Sequence, residues 1–269
     1  MLHQIFYYCI LFFISILFIP CMGQSFFAVH VQGKIYHTTK HSYLRCGDKI
    51  DATDSLEFNT PNTWAVLVGD NGNFFLQQPV KSDSISLVHK ALQPIVSSTK
   101  KVMRKDTLIV DNLQTYFEGE QFVFIGNDFQ LTLNHDFYPL SDSLVLLYRY
   151  EYNERHITVK LPYAKQTIPF DPRVLYTYKG ESIPYAKTTN TSIYIFNALD
   201  NMPYFAAKLN PVWLSDQQVD NELTVLKKVY TQQGQPNDVM KANYLQYITD
   251  VYGKTDELFF YHWVNTHLE

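Results

Sequence analysis

"LVLLYRYEYNERHITVKLP", residues 144–162, decides the fold class. On either side of Asn153-Glu154 the side chains alternate with a period of two, which is the period of a β-strand. With those two residues at the tip, Tyr152 faces Arg155, Tyr150 faces Ile157, Tyr148 faces Val159 and Leu146 faces Leu161. Apart from the pair at the tip, that face is aromatic or aliphatic, while Arg149, Glu151, His156, Thr158 and Lys160 share the other. Tyrosines opposite β-branched residues stabilise an antiparallel pair by roughly 0.2–1 kcal/mol each. The stretch therefore predicts a hairpin with one buried and one wet face. Asn-Glu is a weaker two-residue turn than Asn-Gly, so a longer loop is the alternative at the tip.

Shorter strands are expected around this hairpin at Gln121 to Ile125, Phe129 to Leu133, Gln166 to Phe170 and Ser192 to Phe196, which together suggest a β-sandwich over 106–200. The last stretch, 201–269, changes character. Ser215 with Gln218 opens a helix carrying Val219, Leu223, Leu226 and Tyr230 on one stripe. A second helix starts near Asn237, carries Met240, Tyr244, Ile248 and Val251, and stops at Gly253. A third is predicted from Thr255, with Asp256 and Glu257 where negative charge suits the helix dipole.

Towards the N-terminus, 24–80 reads as a small β-domain of about five strands. "FFAVHVQGKIY" alternates with a bend at Gly33, "SLEFNT" puts Leu56 and Phe58 on one face, and Asp70-Asn71-Gly72 is the hairpin between Thr63 to Val68 and Asn73 to Gln77. Between the two β-regions, 81–105 reads as a short helix from Ser84 to Gln93, ended by Pro94, and a basic linker. The fold class predicted is mainly β with a C-terminal helical unit (α+β): a small N-terminal β-domain followed by a β-sandwich.

Composition agrees with strands. The chain of 269 residues is 46 % hydrophobic and 16 % aromatic, with 20 Tyr and 19 Phe, residues that suit a half-buried pleated surface. A formal charge of −4, without a long block of either sign, excludes the basic stripe needed to hold a nucleic-acid backbone. Lys100, Lys101, Arg104 and Lys105 are the local exception, read as a solvated linker or, in the rival reading, as a contact to anionic lipid.

Residues 1–23 read as a signal peptide. An almost wholly apolar run from Ile5 to Ile19, broken by tyrosines, Cys9 and Ser15, is closed by Pro20, and Cys21 and Gly23 are small residues before a cut that would leave Gln24 first. The n-region has His3 but no Lys or Arg, so an uncleaved anchor, and with it membrane contact, is the alternative. Cleavage would leave Cys46 as the lone thiol and no intramolecular disulfide, which suits a bacterial envelope better than an animal secretory pathway.

"YLRCGDKIDATDSLEF", residues 43–58, is the densest concentration of chemistry. Cys46 could be a nucleophile only with a base beside it, and His37 and His41 are near in sequence. Asp48, Asp51 and Asp54 recur every third residue, which is not the alternate spacing of a calcium loop. Asp48 after Gly47 is an ordinary turn former, so the stretch reads first as a corner of a β-domain. No zinc motif, nucleophile elbow, phosphate loop or dinucleotide fingerprint occurs, so no cofactor or metal is expected. His135-Asp136 and His262 would act as acids or bases only if the fold supplied partners. A carboxylate pair carries no short motif, and Asp171, Asp200 and Glu222 are its candidates without one being preferred. Tyr148, Tyr150 and Tyr152 read as packing before they read as a sugar-stacking surface.

One pattern recurs four times where average usage gives about one: Asp, then Ser or Thr, then an aliphatic residue. The hydroxyls are Ser55, Ser84, Thr107 and Ser143. The pattern resembles the O-glycosylation acceptor of some gram-negative periplasms, and it is equally the ordinary way from a turn into a strand.

Taken together, "VQGKIY", "LRCGDKI", "DSLEF" and "TWAVLVGDNGNFFL" resemble the periplasmic FecR-type β-domain over roughly residues 28–78, through Gly33, Leu44, Gly47, Asp48, Ile50, Asp70 and Gly72. The resemblance implies binding or signalling rather than catalysis. The family's sigma-factor-binding part has no counterpart here, so iron signalling is not implied. The expectation is an exported protein of the gram-negative periplasm or cell surface, binding an envelope protein or glycan as part of an assembly. The rivals are a secreted carboxylate-pair hydrolase acting on glycan or peptide, and a membrane-anchored sensor.

Overall fold

The computed structural model describes residues 24–77, 85–95, 109–119 and 121–268. The signal segment, the basic linker, Ser84 and Thr107 lie outside them. The chain divides into two compact units at Pro94/Ile95. It is mainly β with helices towards the C-terminus, as the sequence predicts.

In the first unit, β1 (Ser25–Gln32), β4 (Lys49–Asp51), β6 (Trp64–Gly69), β7 (Gly72–Gln77) and β9 (Leu92–Pro94) form an antiparallel sheet in the order β4-β1-β6-β7-β9. A second sheet holds β2 (Ile35–His37), β3 (Ser42–Tyr43), β5 (Ser55–Phe58) and β8 (Ile85–Leu87) in the order β3-β2-β5-β8. Both contribute to one core of Phe26, Ala28, Ile35, Ile50, Leu56, Phe58, Leu67 and Leu76. The expected bend at Gly33 has φ +82°, and a Cβ there would lie 2.4 Å from Thr63 Oγ1, so only glycine fits. The helix read over Ser84–Gln93 shrinks to one turn, α1 (Val88–Ala91). β8 pairs with β5 and β9 with β7 on either side of it, and those ladders override the local helical spacing.

The second unit is built on a four-stranded antiparallel sheet, β14-β13-β18-β19, made of β13 (Leu144–Tyr152), β14 (Arg155–Lys160), β18 (Thr189–Asn197) and β19 (Met202–Lys208). The hairpin register is the one its alternation predicts: Tyr152 opposite Arg155, Tyr150 opposite Ile157, Tyr148 opposite Val159. Leu146, Tyr148, Tyr150, Ile157 and Ile193 face the core. That core also takes Leu131 and Phe129 of β12 (Phe129–Leu133) and Phe170 of β15 (Thr167–Phe170), a pair flanked by β10 (Ile109–Val110), while β16 (Thr177–Tyr178) and β17 (Glu181–Ser182) form a separate short hairpin. At its centre Phe124 stacks on Trp213, with ring centroids 4.4 Å apart, and on Phe170 at 5.3 Å.

The boundary expected at 200/201 falls inside the β18–β19 hairpin, whose ladder ties the two stretches into this one unit, and the C-terminal helices begin only at Asp216. β11 (Phe122–Ile125) pairs in parallel with both β20 (Pro211–Leu214) and β21 (Lys254–Thr255), which precede two of the C-terminal helices. The helices are α4 (Asp216–Gln232), α5 (Asn237–Tyr252) and α6 (Glu257–His267), preceded in the unit by the short α2 (Leu113–Phe117) and α3 (Pro172–Leu175). Ser215 caps α4 by accepting from the Gln218 N–H. Asp256 caps α6, accepting from the Phe259 N–H and, at 2.7 Å, from the Tyr116 hydroxyl of α2. Val219, Leu223, Leu226, Tyr230, Met240, Tyr244 and Ile248 are buried as their spacing predicts. Among the described residues, no helix is long and apolar enough to cross a membrane.

Candidate functional site

The turn at residues 43–58 resolves into separate structural duties. Gly47 turns the chain at φ +89°, and the Asp48 carboxylate accepts from the Arg45 N–H at 2.8 Å. Asp51 accepts from the Ser25 hydroxyl at 2.7 Å. Asp54 Oδ2 meets His37 Nε2 at 2.8 Å and accepts from the Asp51 N–H. Nδ1 of the same ring accepts from the Lys40 N–H, so both His37 nitrogens are engaged and neither is available as a base for the exposed Cys46. Burial opposes ionisation of Asp54, but the Asp51 N–H and the His37 ring prevail and hold its carboxyl below the usual carboxylate range. Among the described residues, no three His, Cys, Asp or Glu side chains gather as metal ligands would.

The other candidates are likewise placed by local partners. Asp171 caps α3 and holds Arg173 in a fork at 2.7–3.1 Å, Asp200 accepts from the Tyr204 hydroxyl, and Glu222 is buried beneath Tyr247 and Tyr252. None of the three lines the groove described below. His135, Asp136 and His262 are exposed. Tyr148 and Tyr150 are wholly buried, with the Tyr148 and Tyr176 hydroxyls 2.7 Å apart, so they pack rather than bind. Of the four acceptor-like hydroxyls, the two described are half-buried: Ser55 lies in β5, its carbonyl taken by Thr38, and Ser143 precedes β13 with its hydroxyl against Ser141.

The opposite, solvent-facing side of β14-β13-β18-β19 carries the site. Since Leu146, Tyr148 and Tyr150 point inward, Leu147, Arg149 and Glu151 must point outward. Successive cross-strand rows then run Lys160–Leu147–Tyr194–Phe205, Thr158–Arg149–Ser192–Lys208, and His156–Glu151–Thr189. Two bulges make these rows. Ile193 pairs with Ala207 and Tyr194 with Phe205, so one extra residue in β19 lets Phe205 and Lys208, three apart, share a face. In β18 an extra residue separates the partners of Arg149 and Glu151, and Asn190, at φ +52°, is turned so that its amide donates to Glu151 Oε2 at 2.6 Å. Bulges of this kind re-aim side chains beside binding sites.

The result is a cavity of about 320 Å³ lined by Arg149, Glu151, His156, Ser192, Tyr194, Phe205 and Lys208. A second, of about 590 Å³, lies beside it and shares Asn190, Thr191 and Lys208 as walls. The second is walled by Gln114, Glu118, Tyr185, Thr188, Thr189 and Asn210. The Arg149 guanidinium lies 5.9 Å from the Tyr194 ring centroid, and Tyr194 and Phe205 meet edge to face at 5.9 Å. His156 Nδ1 stands 3.3 Å from Glu151 Oε1. Phe205 and Tyr185 are exposed, an arrangement of apolar rings among convergent polar groups that suits a ligand.

Sequence reasoning put Arg149, Glu151 and His156 on the wet face but did not connect them to Lys208 or Phe205, because the bulges that align β18 and β19 have no local signature. The chain matches no family model, no curated protein and no solved structure in comparison with known proteins.

Proposed function

We propose that the protein acts by binding, as a component or accessory of a cell-envelope assembly, and that the groove on the open face of the four-stranded sheet holds its ligand. One observation carries this reading: two bulges bring exposed aromatic rings, paired amides and charged groups to one open sheet face, in two adjoining cavities, where an ordinary sheet face would scatter them. Export to the envelope rests on the apolar Ile5–Ile19 segment, and a FecR-type role for the first unit rests on its turn pattern. The test is affinity electrophoresis of the full mature chain in gels containing purified envelope polysaccharides. Retardation that F205A weakens at least tenfold supports the groove. Migration unchanged by every polysaccharide removes it.

A further inference from the structure

We infer that the groove takes an acidic sugar, a uronate-type residue of a polysaccharide, with its carboxylate between Arg149 and Lys208 and its ring against Phe205 and Tyr194. This rests on the binding reading above and names the chemical class of its ligand. Arg149 and Lys208 are both in register with Ser192 and therefore two strand spacings apart, about 10 Å between backbones. Long side chains converging from that separation can meet one carboxylate from two sides, with the Ser192 hydroxyl beneath it. Among the described residues, no carboxylate or other acceptor engages either cationic head group; Arg149 has only its contact with the Tyr194 ring. The acid in the same cavity, Glu151, is held by Asn190 and His156, and Glu118 belongs to the adjoining cavity.

A sugar fits this surface better than an acidic peptide does. Its hydroxyls match the walls of Thr188, Thr189, Asn190 and Gln114, and its apolar ring face matches exposed Phe205. An extended peptide would add to the free edge of β19, but there the outward Lys208 N–H already donates to Gln114 Oε1 at 3.2 Å.

The test is calorimetric titration of the full mature chain with tetragalacturonate, with its carboxyl-reduced neutral counterpart, and with tetraglutamate. The inference expects the acidic sugar to bind about tenfold or more tightly than the neutral one, since charge-assisted contacts are the strong ones. R149Q and K208Q should each erase most of that preference, while F205A should weaken both sugars alike. Equal binding of the two sugars leaves the groove standing and overturns the acidic class. Preferred binding of tetraglutamate reassigns the site to peptide, and binding of none removes both the class and the groove reading.

Discussion

Arg149 and Lys208 stand in one row across the four-stranded sheet, each in register with Ser192 of the strand between them. Among the described residues neither cation forms an ion pair, and cations so placed on a solvent-facing sheet act mainly on ligands and little on folding. Affinity for an acidic glycan should therefore fall as salt rises, since screening shortens to about 10 Å at 0.1 M. R149Q and K208Q should flatten that dependence while changing stability by less than about 0.5 kcal/mol. Dissociation constants across a salt series, beside denaturant melts of the same variants, check both halves.

His37 and Asp54 give the first unit an acid-sensitive clamp. Lys40 N–H donates to Nδ1, so Nε2 carries the proton that is given to Asp54, and the ring needs no positive charge to bind there. The Asp54 carboxyl is held below its ordinary value of 3.8. A depressed folded value means that its stabilisation is complete above the unfolded value and disappears as pH falls through the folded one. Protection factors of the amides in residues 24–77, taken against the intrinsic exchange rate at each pH, should thus fall below about pH 4, and D54N should lose that acid limb. H37A, which empties a buried position and removes a donor from Asp54, should cost about 2–3 kcal/mol.

The parts of this fold that were legible in the sequence are those where pairing is local. The 144–160 hairpin carries its register in its own alternation, and Ser215 and Asp256 announce their helices because a cap acts within three residues. The parallel strands β20 and β21 carry no such signal: they meet β11 from far along the chain, and "PVWL" reads equally as strand or loop. The site failed for the same reason. Alternation placed Arg149 and Glu151 outward, but Phe205 and Lys208 lie on one face only because of an extra residue that tertiary pairing puts in β19. Glu222 shows the converse, an acid nominated for chemistry that burial assigns to structure.

Glu222 lies on α4 and reaches α5, its carboxylate accepting at 2.7 Å from both the Tyr247 and the Tyr252 hydroxyls and at 3.2 Å from the Gln218 amide. Removing one partner of such a buried network leaves the others unsatisfied, so E222A should cost about 3–4 kcal/mol and Y247F about 2 kcal/mol. Burial first, and then the negative charge of Glu222, push the Tyr247 and Tyr252 hydroxyls far above their usual value. Groups whose folded values are raised lose their contribution once pH exceeds the unfolded one. Stability of the second unit should therefore fall steeply above about pH 10. A shallower alkaline limb in Y247F, followed by circular dichroism, checks the assignment.

Tyr150 and Tyr148 neighbour each other on the same buried face with ring centroids 6.0 Å apart, yet their hydroxyls differ. The Tyr148 hydroxyl bonds to that of Tyr176, which also accepts from the Trp213 indole at 3.2 Å. The Tyr150 hydroxyl is buried with no partner among the described residues, and burial followed by the neighbouring Tyr176 pushes it up to about 12. A buried polar group without a bond forfeits its hydration for nothing, at about 1–3 kcal/mol. Y150F should accordingly stabilise the second unit by about 1 kcal/mol, whereas Y148F, which breaks the chain to Tyr176, should destabilise it by about the same amount. Denaturant midpoints of the two single variants decide this, since each removes one oxygen from the same kind of ring. The reverse order would mean that the Tyr150 hydroxyl is bonded after all and that the Tyr148–Tyr176–Trp213 chain contributes nothing to the core.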